Sequence, residues 1–347
     1  MPAELRLLRF DDEPGGGMSI ELRVLSGPEI REMLPMSACI ELMETTMVAV
    51  SEGQSLLPLR SIMTMPGDIG ALGIMPGYLA TADMYAVKLL SLFPRNAGTG
   101  LSSHLGMLVL FETGHGHPVG LLDAAEITAI RTAAASGMAT RLLARGEATR
   151  LGILGTGEQA RRHVEAMIAV RPIADIRIWG RNPAKAQALA ASCAAIYDVG
   201  CRAVEQVADA VAGADIVCTT THASEPILPG AWIEPGTHLN IVGSSIPSTA
   251  EIDGDLVAKS RFFVDYRDSA LNQAGEYLRA IAAGLIGPDH ILGEIGEVAL
   301  GKVAGRCSDD DITIYKSLGI AAQDIAAGHH VLARAADRNI GQCVSFG

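Results

Sequence analysis

Three basic side chains stand inside apolar stretches of the sequence, where a charge without a partner is costly. Arg60 lies in LLPLRS, Lys88 in YAVKLL and Arg131 in ITAIRTAAAS. Each of them therefore needs an anion or water. For any single one, pairing with a nearby carboxylate is the simplest explanation, with candidates Glu41, Asp83 and Glu126. The other explanation is an anionic ligand.

A second group of residues has the spacing of a dinucleotide-binding motif, GTGEQA at residues 155–160. Gly155 allows a tight turn, Gly157 lets the main chain approach a pyrophosphate, and Ala160 lets helix and strand pack closely. A bare motif of this kind also occurs in ordinary tight turns, but here it lies between an apolar strand and a helix. The predicted cofactor-binding residues are Gly155, Thr156, Gly157, Glu158, Gln159, Ala160, Thr219, Thr220, Thr221, Val242, Gly243 and Ser244.

The segment IWGRNPAKA bears on which dinucleotide binds. About 20 residues past the glycine motif, NAD-binding proteins carry an Asp or Glu that accepts from the ribose 2′-hydroxyl. Arg181 and Asn182 stand there instead. Arg181 can stack on adenine and pair with a 2′-phosphate, and Asn182 can add a hydrogen bond. A solvated loop arginine is the alternative, so we expect NADP in preference to NAD, with use of both left open.

The elements that must position these residues follow two different patterns. Between residues 150 and 265, short apolar runs alternate with Ala-rich helical stretches, which predicts parallel βαβ units and a Rossmann-type doubly wound sheet. The six predicted strands are residues 151–154, 176–179, 201–204, 216–219, 239–242 and 262–264. This α/β domain is expected to span residues 130–312.

The remaining residues predict a discontinuous α+β domain with a mainly antiparallel sheet. Apolar runs over residues 19–121 are separated by Gly, Pro and Asn, and helices are expected at 39–51, 124–144 and 311–338. The last helix can pack back on the first domain, which would then comprise residues 18–129 completed by 313–347. Residues 1–17, with their Gly triplet, are expected to be a disordered tail.

Composition excludes several classes of function. The net charge of −12 and the lack of a long Lys/Arg cluster argue against a nucleic-acid partner. No apolar run reaches the roughly 18 residues of a membrane span, and the start of the chain does not resemble a signal peptide. The six cysteines show no metal-ligand spacing, which predicts reduced thiols, no metal site and a cytoplasmic location. A small molecule is the expected partner.

Several segments together resemble the ornithine cyclodeaminase and mu-crystallin family. They include VKLLSLFPRN, the RTAAAS helix, the GTGEQA motif with its glutamine, and the closing KSLGIAAQD. The resemblance runs from about residue 20 to the C-terminus. It implies a discontinuous substrate and dimerisation domain, a nucleotide-binding domain, and a homodimer joined through the first of these.

The resemblance also implies roles for the three cations. In the family, the positions of Arg60, Lys88 and Arg131 converge on the substrate α-carboxylate. Such a cluster would be stabilised by a bound acid, because like charges 4 to 7 Å apart repel by roughly 2–4 kcal/mol per pair. Lys88, held between two arginines, should have a lowered pKa and can donate a proton to a substrate nitrogen.

Ser245 departs from part of the family pattern. Cyclodeaminases and archaeal-type alanine dehydrogenases carry an Asp at this position of the G-x-x-x-P segment, whereas mu-crystallin is similar to this sequence in having Ser. A hydroxyl can relay a proton but cannot match a charged ammonium group. A plain turn residue is the other reading of Ser245. The expectation is an NAD(P)H-dependent imine reductase with Lys88 and Ser245 as catalytic residues.

Three alternatives stay open from the sequence: an ornithine cyclodeaminase, an alanine-type amino-acid dehydrogenase, and a non-catalytic crystallin-like binding protein. The substrate also stays open, because 1-pyrroline-2-carboxylate, 1-piperideine-2-carboxylate and the acyclic iminosuccinate all carry the required acid. A dicarboxylic imine would need a further cation, for which the candidates are Arg95, Arg267 and His104.

Overall fold

The computed structural model describes residues 20–96, 99–100 and 104–346. The expected tail over residues 1–17 lies outside them. The chain divides into two compact units. The first comprises the described residues of Met1–Leu42, Glu52–Arg131 and Ile320–Gly347, and the second comprises Met43–Ser51 and Thr132–Gly319.

The first unit is built on one mainly antiparallel sheet. Its strand order is β16-β1-β7-β6-β5-β4-β2, with β3 paired to β4, and within the described part of this sheet only the β1–β7 pair is parallel. The strands are β1 (Ile20–Leu25), β2 (Ser55–Leu56), β3 (Ser61–Thr64), β4 (Ala71–Leu79), β5 (Met84–Leu92), β6 (His104–Glu112), β7 (Pro118–Asp123) and β16 (Gln342–Phe346).

One face of this sheet is covered by the C-terminal helix α11 (Ala321–Arg338). Side chains alternate between faces along a strand, and the buried set on β4 to β6 includes Met75, Lys88 and Leu108. The helix approaches so closely that a Cβ on Gly77 would overlap Ala321. The end of the chain thus completes the sheet and core that the first third begins.

Three further helices belong wholly or partly to the first unit: α1 (Gly27–Met33), α2 (Met36–Ser51) and α3 (Ala124–Leu143). The start of α2 precedes the predicted residue 39, and α3 matches the predicted 124–144 to within one residue. In α3, the first unit ends at Arg131.

The second unit contains an eight-stranded parallel sheet in the order β10-β9-β8-β11-β12-β15-β13-β14. The order reverses between β8 and β11, and a nucleotide binds at such a switch point in doubly wound sheets. The strands are β8 (Arg150–Leu154), β9 (Asp175–Trp179), β10 (Gly200–Val204), β11 (Ile216–Thr219), β12 (His238–Ile241), β13 (Arg261–Val264), β14 (Ile291–Glu294) and β15 (Thr313–Lys316).

Helices α4 to α10 connect these strands. They are α4 (Glu158–Val170), α5 (Pro183–Tyr197), α6 (Val207–Val211), α7 (Gly254–Lys259), α8 (Arg267–Gln273), α9 (Gly275–Ala282) and α10 (Ile295–Ala299). The predicted combination of a Rossmann-type sheet with a mainly antiparallel sheet is confirmed, and all six predicted strands are present within a residue or two.

The expectation of one helix over residues 311–338 is wrong at its beginning. Thr313–Lys316 forms β15, which pairs in parallel with β12 and β13 in the middle of the second sheet. Its β-branched and aromatic residues suit a strand that is buried on both faces. The helix starts only at Ala321, after Gly319, whose φ is 75°. The segment 313–319 therefore belongs to the second unit and does not complete the first.

Among the described residues, no single helix is both long and apolar enough to cross a membrane. The bent pair α1 and α2 passes that test of length and composition when its members are taken together.

Candidate functional site

The glycine motif lies between β8 and α4, where two glycines make different contributions. Gly155 has a φ of 135°, and a Cβ there would overlap Thr220. Gly157 precedes α4, and a Cβ on it would project into open space. That space faces the N-terminal end of a 13-residue helix, which favours a phosphate. The motif therefore fits a dinucleotide pyrophosphate.

A cavity of about 530 Å³ adjoins the motif within the second unit. Its volume is in the range of small-ligand sites. Of the predicted cofactor residues, the cavity is lined by Gly155, Thr156, Gly157, Arg181, Asn182, Thr220 and Thr221. Sequence reasoning missed further lining residues, which include Trp179, Gly180, Lys185, His222 and Glu225. Glu158, Gln159, Ala160, Thr219, Val242, Gly243 and Ser244 are not among the lining residues.

Two basic side chains at the N-terminal end of α5 line this cavity. Arg181 and Lys185 both line it, and the Asn182 side chain caps α5 by accepting from the Lys185 amide at 3.2 Å. Asn182 Oδ1 thus has a structural role that the sequence did not suggest. The carboxylate of Glu225, which also lines the cavity, pairs with Arg279 Nη1 at 2.9 Å.

Several of the strand-end residues that were predicted to contact the cofactor donate hydrogen bonds to one buried carboxylate, that of Glu251. Glu251 accepts from Thr219 Oγ1 at 2.6 Å, from Thr221 N and Oγ1 at 2.7 Å, and from Gly243 N at 2.6 Å. Ser244 Oγ donates to Glu276, and the Ser244 side chain is buried. The Ser244 hydroxyl is therefore occupied inside the protein, while the next residue, Ser245, is partly exposed.

Two of the predicted cations, Lys88 and Arg131, come together in the first unit around an acid that the sequence reasoning missed. Lys88 Nζ lies 2.7 Å from Asp324 Oδ2, and Arg131 Nε lies 2.9 Å from Asp324 Oδ1. All three side chains are at most 4% exposed. Arg131 Nη1 donates to Gln323 Oε1 at 2.8 Å, and Lys88 Nζ donates to Thr128 Oγ1 at 3.4 Å.

The signal for Asp324 was present in the sequence. It is an acid in the Ala-rich run GIAAQDIAAG, where burial is as costly as for the cations. Its place in the first turn of α11 also favours a negative charge. Of the acids that the sequence offered as partners, Glu126 pairs with Arg31 at 2.8 Å, and Asp83 accepts from the Thr113 hydroxyl.

The pKa of Lys88 is lowered to about 7, chiefly by burial. Asp324 opposes this shift, whereas the charges of Arg131 and Arg60 add to it. The pKa of Lys88 is lowered, as expected, but the main cause is desolvation of the amine and not the charge of the two arginines. Burial alone would raise the pKa of Asp324, yet the charges of Arg131 and Lys88 hold it below its usual value.

We call Arg60, Lys88 and Arg131 the cation cluster. Arg60 and Arg131 both lower the pKa of Lys88, so the charges of both arginines act on this amine. The one carboxylate of Asp324 faces two buried cations, Lys88 and Arg131, so these three side chains carry a net positive charge while Lys88 is protonated. A small carboxylate ligand would complete the balance.

Three residues were candidates for a second acid-binding cation. Arg95 is exposed, and the side chain of His104 lies outside the described residues. Arg267 belongs to the second unit, where its amide and guanidinium contact Glu294 and the Ile291 carbonyl. No group of three or more His, Cys, Asp or Glu in the described part of the chain has the geometry of a metal site.

Comparison with known proteins adds independent findings. The model of the ornithine cyclodeaminase/mu-crystallin family matches residues 21–339. The ketimine reductase mu-crystallin of Mus musculus is 35% identical over 307 residues, which cover 87% of this chain and 94% of that protein. Two solved structures are similar along nearly the whole chain. The Δ1-pyrroline-2-carboxylate reductase of Thermococcus litoralis with NADH and L-proline has a TM-score of 0.90, with 33% identity over 93% of this chain and 100% of that one. An archaeal alanine dehydrogenase dimer with bound NAD has a TM-score of 0.88, with 28% identity over 94% and 100%.

Proposed function

Because the chain belongs to the ornithine cyclodeaminase/mu-crystallin family, we propose that it is an NAD(P)H-dependent imine reductase that converts an α-imino acid to the L-amino acid. Its substrate would be a cyclic ketimine such as 1-pyrroline-2-carboxylate or 1-piperideine-2-carboxylate, or an acyclic imine such as iminosuccinate. The observation that carries the proposal is the buried group of Lys88, Arg131 and Asp324, in which two cations face one acid.

In this proposal the side chains of the cation cluster have two roles, binding of the substrate carboxylate and donation of a proton. Arg60 and the Nη2 group of Arg131 bind the substrate carboxylate, since guanidinium groups grip such an acid bidentately. Lys88 has three donors, of which two are directed to Asp324 and Thr128, and we assign the third to the imine nitrogen. The nicotinamide, when bound, supplies the hydride for the imine carbon. The nitrogen takes its proton from Lys88 Nζ, with Ser245 or a water molecule as relay.

A spectrophotometric screen tests this function. Purified protein is mixed with NADPH or NADH and with each candidate imine, and oxidation of the cofactor is followed. Consumption of at least one carboxylated imine, with the amino acid as product, is the expected result. Ammonia and proline formed from ornithine would instead identify a cyclodeaminase, and cofactor oxidation with pyruvate and ammonia an alanine-type dehydrogenase. Inactivity towards every imine would favour the crystallin-like binding protein.

Ser245 supports the reductase over the cyclodeaminase. A cyclodeaminase must steer a distal ammonium group, for which a carboxylate is better suited than a hydroxyl. The internal carboxylate of the cluster, Asp324, does not substitute for it, because both of its oxygens already face cations.

We further propose that the cofactor is NADP in preference to NAD. Arg181 and Lys185 line the cavity beside the N-terminus of α5, and both can pair with a 2′-phosphate. The acid that also lines the cavity, Glu225, pairs with Arg279. The relatives solved with NADH or NAD contain the cofactor without a 2′-phosphate, so the proposed preference depends on these two basic residues.

Substitution of both basic residues tests the preference. In the variant Arg181→Ala/Lys185→Ala, Kd for NADPH is expected to rise about 30-fold, or roughly 2 kcal/mol, because two charge-assisted contacts are lost. Kd for NADH should change little. Both constants can be measured by calorimetry. The control is Arg202→Ala, an exposed arginine that pairs with Asp175. An equal weakening of both cofactors would contradict the proposed contact with the 2′-phosphate.

The homodimer is also a proposal, and the first sheet supports it. The side of β4, β5 and β6 that points away from α11 is apolar across three strands. We call this the outer face, and it comprises Leu72, Ile74, Pro76, Tyr78, Tyr85, Val87, Leu89, Leu105, Met107 and Val109. Leu105 and Met107 are more than half exposed. Contiguous apolar surfaces of this kind mark contacts between proteins.

A charge on the outer face should disrupt the dimer. We expect the unsubstituted protein to have twice the chain mass by light scattering, and Met107→Lys to shift it to the monomer mass, because a buried unpaired ammonium is costly. Ile196→Lys is the control, since this isoleucine is 59% exposed on α5 in the second unit. Dimers that persist in Met107→Lys would place the interface elsewhere.

The remaining expectations concern partners and location. A small imino or amino acid is the proposed substrate, and no nucleic-acid partner is proposed. All six cysteines are free thiols, which supports the proposed cytoplasmic location.

A further inference from the structure

At the carboxyl ends of β11, β12 and β15 in the second sheet lies a connected set of charged side chains that the proposed mechanism does not use. Lys316, at the end of β15, lies 3.1 Å from Glu276, and both are fully buried. Lys316 Nζ also donates to the carbonyl and to the hydroxyl of Ser244, at 2.6 Å each. Glu276 in turn accepts from Ser244 Oγ and from Glu251 N, the latter at 3.1 Å.

The second part of the set is the carboxylate of Glu251. One of its oxygens accepts from Thr219 Oγ1 and Gly243 N, and the other accepts from Thr221 N and Oγ1. It therefore joins the end of β11 to the segment that follows β12. We call Glu251, Glu276 and Lys316 the buried network.

The two segments held by the buried network are those on which the proposed reaction depends in this unit. Residues 220 and 221 line the cavity, and Ser245 follows directly after Ser244. Carboxyl ends of neighbouring parallel strands carry ligand contacts in doubly wound folds. A buried ionic group is a poor source of stability compared with an apolar one, so its presence calls for another explanation.

We propose that Glu251, Glu276 and Lys316 are positioning residues that fix the segments 219–221 and 242–245 relative to each other for hydride transfer, without touching substrate themselves. This inference rests on the proposed imine reductase function. We expect the buried network to affect the rate of hydride transfer more than the binding of substrate or cofactor. Small errors in the alignment of the reacting groups lower that rate far more than they weaken binding.

Glu251→Gln is the most direct test. The change keeps the shape but places an amide NH₂ where one oxygen accepted a main-chain N–H, from either Gly243 or Thr221. We expect kcat for imine reduction to fall about 100-fold, while KM for the imine and Kd for NADPH change much less. The emission spectrum of bound NADPH should shift, and amide hydrogen exchange should accelerate in 219–221 and 242–245.

Asp215→Asn is the matched control. Asp215 is 6% exposed and accepts from Thr149 N and Arg150 N at 3.0 Å, at the opposite end of β11. The same isosteric change there should lower the melting temperature but leave kcat and the NADPH emission unaltered. If both variants lose kcat in proportion to their loss of stability, the network is merely structural and the inference is overturned.

A double variant separates stability from positioning. Lys316→Met/Glu276→Gln removes both members of the ion pair, so that neither is left buried without the other. We expect the melting temperature to recover relative to Lys316→Met alone, with kcat still reduced about 10-fold or more. Full recovery of kcat with the melting temperature would overturn the inference. If the unsubstituted protein reduces no imine, the proposed function fails. In that case the positioning role is still tested by NADPH emission and by hydrogen exchange. It is supported if both change in Glu251→Gln and not in Asp215→Asn, and it is overturned if the two variants behave alike.

Discussion

Replacing Arg131 with alanine is expected to lower kcat/KM for a carboxylated imine by about 10³-fold, or roughly 4 kcal/mol. The guanidinium is the group that we assign to the substrate carboxylate, and its removal also leaves Asp324 with Lys88 as its remaining ion-pair partner. Steady-state rates over a range of imine concentrations measure the effect. Kd for NADPH should stay nearly unchanged, because Arg131 is not among the residues that line the cavity beside the glycine motif.

Two further variants guard against an effect of misfolding. Arg131→Lys keeps a positive charge for Asp324 but cannot grip a carboxylate bidentately, so it should fold and still lose most of kcat/KM. Arg31→Ala removes an arginine of the same unit whose side chain is 53% exposed and pairs with Glu126, and it should change the rate little. Loss of NADPH binding in Arg131→Ala, to the same extent as the loss of rate, would contradict the assigned role.

The sequence was sufficient for the fold class, the family and the oxidoreductase class, all of which are confirmed. Local patterns carried this information: strands and helices of the second unit alternate, and the glycine motif lies at the first strand-to-helix turn. The strand Thr313–Lys316 was missed because its partners, β12 and β13, precede it by dozens of residues. Short apolar segments beside a long helical pattern are ambiguous without such partners.

The site was predicted less completely, for a related reason. The three cations were found because each interrupts an apolar run, but an ion pair depends on contacts between distant residues. Asp324 is 236 positions from Lys88 and 193 from Arg131. The same holds for Ser244, whose buried hydroxyl is bound by Lys316, 72 positions away. Residue type predicts that a buried charge needs a partner, whereas the fold decides which one it has.

The rate of imine reduction should depend on pH through Lys88. Its pKa of about 7 lies below the usual value of 10.5 chiefly because the amine is buried, so the protonated, donating form prevails below about pH 7. If Lys88 supplies the proton, kcat/KM is level at lower pH and falls tenfold per unit above about pH 7. Rate profiles from pH 5 to 9, at saturating NADPH, measure this, with the imine's own titration determined separately.

Variants of the same pair test whether Lys88 is the titrating group. Lys88→Arg keeps a charge beside Asp324 but has no titration near neutral pH, so the break should vanish and the rate should fall about 10³-fold, because a guanidinium is a poor proton donor. In Asp324→Asn the break should move to lower pH, since Asp324 is the group that raises the pKa of Lys88 against burial. Lys302→Met, at an exposed site, should leave the profile unchanged. A break near pH 7 that persists in Lys88→Arg would show that another group donates the proton, and it would reduce Lys88 to a partner of Asp324 within the carboxylate-binding cluster.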